Sequence, residues 1–211
     1  MKKHKNNSGL PDKHLDFMKL ALSLAKRGLG NVWPNPAVGC VIVQDASIVG
    51  RGWTQPNGRP HAETIALKQA GKRAQGATAY ITLEPCNHAG ISPPCTEALI
   101  TAGIKVIYAP HSDPDRRVSG KGFKRLKHAN IEVNVGLLCE AALEINKGFF
   151  MRVEEGRPLL TYKTAATFDG KIATKNGGSN WITAVSYTHL RAHETREDRG
   201  CRVRYEKKKR G

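Results

Sequence analysis

The strongest constraint on this chain is a set of metal-seeking residues between positions 61 and 95. They are His61-Ala62-Glu63, then Glu84-Pro85-Cys86, then Pro93-Pro94-Cys95. One imidazole and two thiols make three protein ligands, and a zinc site with three protein ligands keeps its fourth position open. Only a fold that brings positions 61, 86 and 95 to one point can use that set. Glu63, two residues from the first ligand, can move a proton at the open position. Pro60 precedes His61, and residues 61–70 hold good helix formers, so His61 and Glu63 are expected in a first helical turn. Residues i and i+2 do not share a helix face, so both must reach the metal from the helix mouth. Cys95 follows two prolines and opens a second helix start, where the partial positive charge favours a thiolate. A fourth ligand such as His88 would instead close the site into a structural one, which has no use for Glu63.

Around this set the hydrophobic pattern switches between periods. Leu15, Met18, Leu22 and Ala25 recur at helical spacing and predict a helix over 12–27, ended by Gly28 and Gly30. The prolines of 31–36 predict a loop. Residues 38–43 and 48–52 read as a hairpin around a turn at 44–47. Further strands are expected at 78–83, 105–109 and 131–135, and further helices near 96–102, 123–129 and 138–151. Strands alternating with helices after a hairpin imply a layered α/β domain with a mixed sheet. The metal residues fall where strands or loops run into helices, the usual place for ligands in open α/β sheets.

With 211 residues the chain is one domain or one plus a fragment. Five cysteines is an odd number, and with two claimed by the metal a reducing cytoplasm fits better than a disulfide framework. Cys40 and Cys139 are expected in the core. No apolar run follows the charged start, and none is long enough to span a membrane. The formal charge of +16 points first to nucleic acid. Its distribution argues otherwise. The last 27 residues carry nine Lys/Arg against four Asp/Glu, and Lys2, Lys3 and Lys5 sit in a leader, residues 1–11, expected to be disordered. The aromatics that interleave basic residues on a single-strand surface are missing.

Near Glu155-Gly156-Arg157-Pro158 the pattern changes. Residues 159–165 read as a strand that opens something new, followed by a turn at Thr167-Phe168-Asp169-Gly170-Lys171. From about Val185 no amphipathic period survives. Residues 185–211 look like the translation of a sequencing-library adaptor and are set aside as a non-native tail.

The motifs now in hand resemble those of the bifunctional deaminase/reductase of riboflavin biosynthesis. The general zinc-deaminase signature is H-x-E…P-C-x-x-C with the Glu outside the metal's ligand set. The gap between the cysteines here is longer, and the longer gap is that family's own. Asn35-Pro36-Ala37-Val38-Gly39, Pro60-His61-Ala62-Glu63 and the run from Thr82 to Cys95 match its deaminase half. Lys163 to Ala173 and Ser179-Asn180-Trp181-Ile182-Thr183 match the opening of its reductase half. The resemblance implies a cytidine-deaminase-like three-layer α/β/α domain over residues 12–152 and a truncated reductase start over 158–184. It implies Zn2+ on His61, Cys86 and Cys95, with Glu63 as proton carrier and Asn35 and His88 on the substrate. The implied substrate is a small pyrimidine ribonucleotide phosphate, 2,5-diamino-6-(5-phosphoribosylamino)pyrimidin-4-one. NADPH would serve only the intact reductase half, so no reductase activity is expected of this chain. Nucleic-acid and membrane partners are not expected, and a homo-oligomer is left open.

One departure from the family pattern bears on the site. The family usually has a basic residue where this chain has Ile91, and commonly Thr where it has Ser92. Ile91 cannot pair with a phosphate, so Arg116, Arg117 and Lys121 in the 111–122 loop are expected to replace it. Two rival readings remain: a nucleic-acid adenosine or cytidine deaminase, favoured by the charge, and a zinc-stabilised binding module without catalysis.

Overall fold

A computed structural model of the chain describes residues 12–88, 93–115, 118–161, 168–171 and 175–176. The expected leader, the Ile91-Ser92 pair, Arg116, Arg117, most of the reductase-like segment and the tail lie outside the described residues. The chain divides after Leu159 into two units. The whole sheet lies in the first, together with His61, Cys86 and Cys95.

Five strands form that sheet in the order β2-β1-β3-β4-β5. β1 (Gly39–Gln44) and β2 (Ser47–Trp53) make the expected hairpin, closed by Asp45 and Ala46, both at positive φ. Two successive left-handed residues give the tight turn whose twist matches paired strands. β1 also runs antiparallel to β3 (Thr78–Ile81), whereas β3, β4 (Val106–Ala109) and β5 (Glu132–Val135) are mutually parallel. The mixed sheet expected from the pattern is present.

Side chains alternate across the strands and feed two cores. Cys40, Ile42, Ala79, Ile81 and Ile107 pack with Ala62 and Ala66 of α2 (Ala62–Ala70), Leu99 of α3 (Cys95–Thr101) and Leu126 of α4 (Lys121–His128). On the other face Val41, Val43, Tyr80 and Tyr108 pack with Met18 and Leu22 of α1 (Asp12–Ala25) and Ala142 of α5 (Cys139–Ile145). The result is three layers. Cys40 is fully buried, as expected; Cys139 is only half-buried, its thiol donating to the Pro110 carbonyl at 3.0 Å.

The single helix expected over 138–151 is two. α5 ends at Ile145 and α6 (Lys147–Glu155) restarts after Asn146, whose φ and ψ of −105° and 19° leave the helical region. The physical reason lies in the Asn146 side chain. It is 5 % exposed and bonds both backbone groups of Ala37, far away in sequence. Residues 159–161 form no strand, and the rest of the strand expected there lies outside the described residues.

α2 lies unusually close to β2. A Cβ on Gly52 would collide with the Ala62 carbonyl, and one on Gly50 with the Ala66 carbonyl. The stripe Ala62, Ala66, Ala70 and the two strand glycines let backbone meet backbone, which fixes the depth of the helix that presents His61 and Glu63. Gly52→Ala should therefore lower unfolding free energy by ~1–3 kcal/mol, the usual cost of overpacking. Urea unfolding of the two proteins measures it; an unchanged midpoint would show that α2 is free to shift.

Candidate active site

β3 ends at Ile81, and the chain continues through Thr82-Leu83-Glu84-Pro85 to Cys86. Cys86 thus emerges at the C-terminal end of a parallel strand. His61 is not in the first helical turn as expected. It is the extended residue that caps α2, with φ −68° and ψ 159°, because the helix begins at Ala62. Cys95 is the first residue of α3, after Pro94. Two helix mouths therefore face one point, with the strand end between them.

The three donors converge there. His61 Nδ1 lies 3.3 Å from Cys95 Sγ and 3.6 Å from Cys86 Sγ, and the Cys95 amide donates to Cys86 Sγ at 3.4 Å. All three ligand atoms fall within 4.8 Å of one another. Nδ1 is thus the metal-facing nitrogen. A nitrogen and two sulfurs at these separations suit a tetrahedral zinc ion with one position to spare. The protonation pattern supports the same fit. Hydrogen bonding from Cys95 brings the Cys86 thiol down to about 4, and the same contact together with burial pushes Cys95 up. His61 is raised, chiefly by its bond to Cys86. A cation bound among these three donors would take the place of the protons they share.

Glu63 is 3 % exposed, and burial raises its carboxyl pKa. Its side chain hydrogen-bonds the Cys95 thiol, so the carboxylate points at the ligand cluster. A cavity of about 520 Å³ opens over this point, lined among others by Asn35, His61, Glu63, Cys86, His88, Asp113 and Arg152. Asn35 Nδ2 donates to the Gly58 carbonyl at 2.9 Å and lies 3.4 Å from His61 Nε2. Gly58 sits at φ +79°, and any Cβ there would strike the Asn35 amide. His88 is exposed but lines the cavity and acts electrostatically on Asp113. Arg116 and Arg117 lie outside the described residues.

Sequence reasoning missed several residues here. Glu84 is buried and accepts four backbone N–H groups: Asp113 at 3.1 Å, Gly120 at 2.8 Å, Gly122 at 2.8 Å and Phe123 at 3.2 Å. One carboxylate thereby ties Asp113, which lines the cavity, to the start of α4. A Cβ on Gly122 would collide with the Pro85 carbonyl beneath it. The available signal was an acid directly before Pro85-Cys86, at a strand end where a free carboxylate would be costly. Asp113, Asp115, Arg59 and Arg152 also line the cavity, and no local motif marks them.

Comparison with known proteins agrees with this geometry. Residues 11–110 match the cytidine and deoxycytidylate deaminase zinc-binding region. The chain is similar over that stretch to a deaminase-type zinc-binding domain. It is homologous to the riboflavin biosynthesis protein RibD. With RibD of Aquifex aeolicus it shares 52 % identity over 169 residues, which is 80 % of this chain and 48 % of that protein. With RibD of Escherichia coli it shares 49 % over 168 residues, 80 % and 46 % of the two chains. The structure of Acinetobacter baumannii RibD superimposes with a TM-score of 0.80 at 45 % identity, covering 88 % of this chain and 52 % of that one. A Thermotoga maritima diaminohydroxyphosphoribosylaminopyrimidine deaminase/5-amino-6-(5-phosphoribosylamino)uracil reductase gives 0.81 at 42 %, covering 88 % and 54 %. The chain thus spans about half the length of these relatives, and its deaminase-like domain has the cytidine-deaminase-like fold expected of it.

Asp113 offers a test of its own. Burial raises its pKa from 3.8 to about 6, with Asp115 and Glu84 adding repulsion. The folded protein therefore holds an extra proton between about pH 4 and pH 6, and stability falls as pH rises through that window. Asp113→Asn keeps the oxygen that accepts the Asp115 amide and cannot ionise. Its thermal midpoint should match the wild type near pH 4 and exceed it at pH 7. Equal midpoints at both pH values would show that Asp113 ionises without penalty.

Proposed function

We propose that this chain catalyses zinc-dependent hydrolytic deamination of 2,5-diamino-6-(5-phosphoribosylamino)pyrimidin-4-one, the deaminase step of riboflavin biosynthesis. One observation carries the reading: a buried carboxylate, Glu63, set against the His61/Cys86/Cys95 cluster at a cavity of small-molecule size. A structural zinc site has no use for such a group.

His61 Nδ1 and the two thiolates would hold the zinc ion. Bound there, zinc supplies ionisation of water near neutral pH and polarises the reacting centre. Glu63 takes a proton from the attacking water and delivers it to the departing nitrogen. The ring carbon thereby exchanges a C–N bond for C–O, and ammonia leaves. A proton carrier held in low dielectric beside its partners needs little reorganisation between the two transfers. Asn35 is tethered through Nδ2 to Gly58, which leaves its Oδ1 for a donor on the pyrimidine. His88 stands at the exposed side of the cavity and contacts the substrate there. Arg116 and Arg117 meet the phosphate in place of the basic residue that Ile91 displaces.

NADPH and hydride transfer belong to the reductase half of the relatives, and this chain is not proposed to carry them. Among the described residues no helix is long and apolar enough to cross a membrane. Residence in the cytoplasm, with a small-molecule substrate and no nucleic-acid partner, follows from the proposed activity.

Ammonia release from the diaminopyrimidine nucleotide, with zinc measured on the same sample, tests the reading. Glu63→Gln should retain one zinc per chain and lose activity by ~10²–10⁴-fold, the range for a proton-transfer residue. A zinc-loaded wild type that releases no ammonia from this substrate would sink the proposal. Replacing Arg116 and Arg117 by Ala should raise KM for the phosphorylated substrate by ~10-fold, as loss of a charged contact does. An unchanged KM would remove them from the site.

A further inference from the structure

Residues 33–37 carry Asn35 to the site but belong to no helix or strand. Two side chains from the C-terminal helices hold this segment on either side of Asn35. At the α5–α6 break, Asn146 Oδ1 accepts the Ala37 amide at 2.8 Å and its Nδ2 donates to the Ala37 carbonyl at 2.9 Å. Further along α6, Arg152 Nη2 donates to the Pro34 carbonyl at 2.8 Å. The Arg152 guanidinium lies over the Trp33 ring at 4.4 Å from its centroid, with Phe149 at 5.4 Å on α6 itself. Trp33 is 70 % exposed and carries this cation on one face of its ring. Asn35 is thus bracketed: Pro34 is tied to Arg152 and Ala37 to Asn146.

We propose that Asn146 and Arg152 are positioning residues for the deamination, acting through Asn35. Neither needs to touch the reacting atoms. Asn146 satisfies two buried backbone groups that would otherwise have no partner, so its loss releases the segment rather than merely trimming a surface. Arg152 locks the segment through a planar cation that lysine cannot copy. Both residues lie beyond the zinc-binding region, which ends at residue 110. The side chains that hold the Asn35 segment in place therefore come from a part of the chain beyond the one that supplies the metal ligands. The kinetic part of this inference rests on the deaminase reading; the structural part does not.

The test uses the zinc-loaded 211-residue chain and the variants Asn146→Ala, Arg152→Gln and Arg152→Lys. The Asn35 side-chain NH2 signals are assigned in an ¹⁵N spectrum by their disappearance in Asn35→Ala. Expected in Asn146→Ala and Arg152→Gln are shifted Asn35 amide signals with faster solvent exchange, at unchanged zinc content. Arg152→Lys should show a smaller change in the same direction. On the diaminopyrimidine nucleotide, KM should rise ~10-fold while kcat stays within ~3-fold, the pattern of a lost binding interaction. Asn35 amide signals that stay as in the wild type, or a fall in kcat at constant KM, would overturn the proposal, whatever happens to the melting temperature. Should Asn146→Ala fail to fold, the half-exposed Arg152 carries the test alone. A wild type that releases no ammonia removes the deaminase reading, and the Asn35 amide signals then decide the positioning claim by themselves.

Discussion

Everything in this domain is arranged around a crowding problem. Two sulfurs and an imidazole nitrogen lie within 4.8 Å of one another, with a buried carboxylate hydrogen-bonded to one of the sulfurs. Left to themselves these groups compete for protons, and the competition drives Cys86 and Cys95 in opposite directions. A fold does not assemble such a cluster for packing, because isolated buried charge is costly. It does so for a cation. The sheet, the two helix mouths and the strand glycines answer the need to present these donors at fixed depth. β3 delivers Cys86, α2 is pressed onto Gly50 and Gly52 so that His61 reaches inward, and α3 opens on Cys95.

Two buried carboxylates near this centre show how environment assigns a task. Glu84 meets four backbone N–H groups and so is spent on architecture: it ties Asp113 to the start of α4. Glu63 lines the cavity and has the Cys95 thiol as its side-chain partner. A fully satisfied acid gains nothing by moving a proton. An acid with few fixed partners, held beside a metal site, can accept and release one at little cost in reorganisation. The sequence shows both as the same residue type, and only their hydrogen bonds separate them.

What was legible in the chain was what is encoded locally. His61, Cys86 and Cys95 stood out because each sits beside a proline or a helix start, and the strands because their side chains alternate. Glu63 was legible as the ligand's near neighbour. The His61 backbone was misjudged by one residue: a run of helix formers after Pro60 does not reveal which residue is the cap. The break at Asn146 was illegible for a different reason. Its side chain is satisfied by a residue 109 positions earlier, so the helical period on either side of it runs on undisturbed in the sequence. Arg152 was hidden likewise, its partners being a carbonyl and an indole in a distant loop. Long-range polar pairs leave no period and no spacing.

This division between local and distant signals also bears on selectivity. The zinc-binding strip can be shared by deaminases with different substrates because it specifies the reaction and little else. The cavity over it is completed by parts that the strip does not contain: Asp113 and Asp115, the former bonded to Glu84, and the α6 face with Phe149 and Arg152. Four carboxylates and two arginines line one small space together with two histidines. A space so mixed in charge suits a compact polar molecule with both donors and acceptors. The overall basic charge of the chain therefore says little about what this cavity accepts. The arrangement of a few opposed charges within it says more.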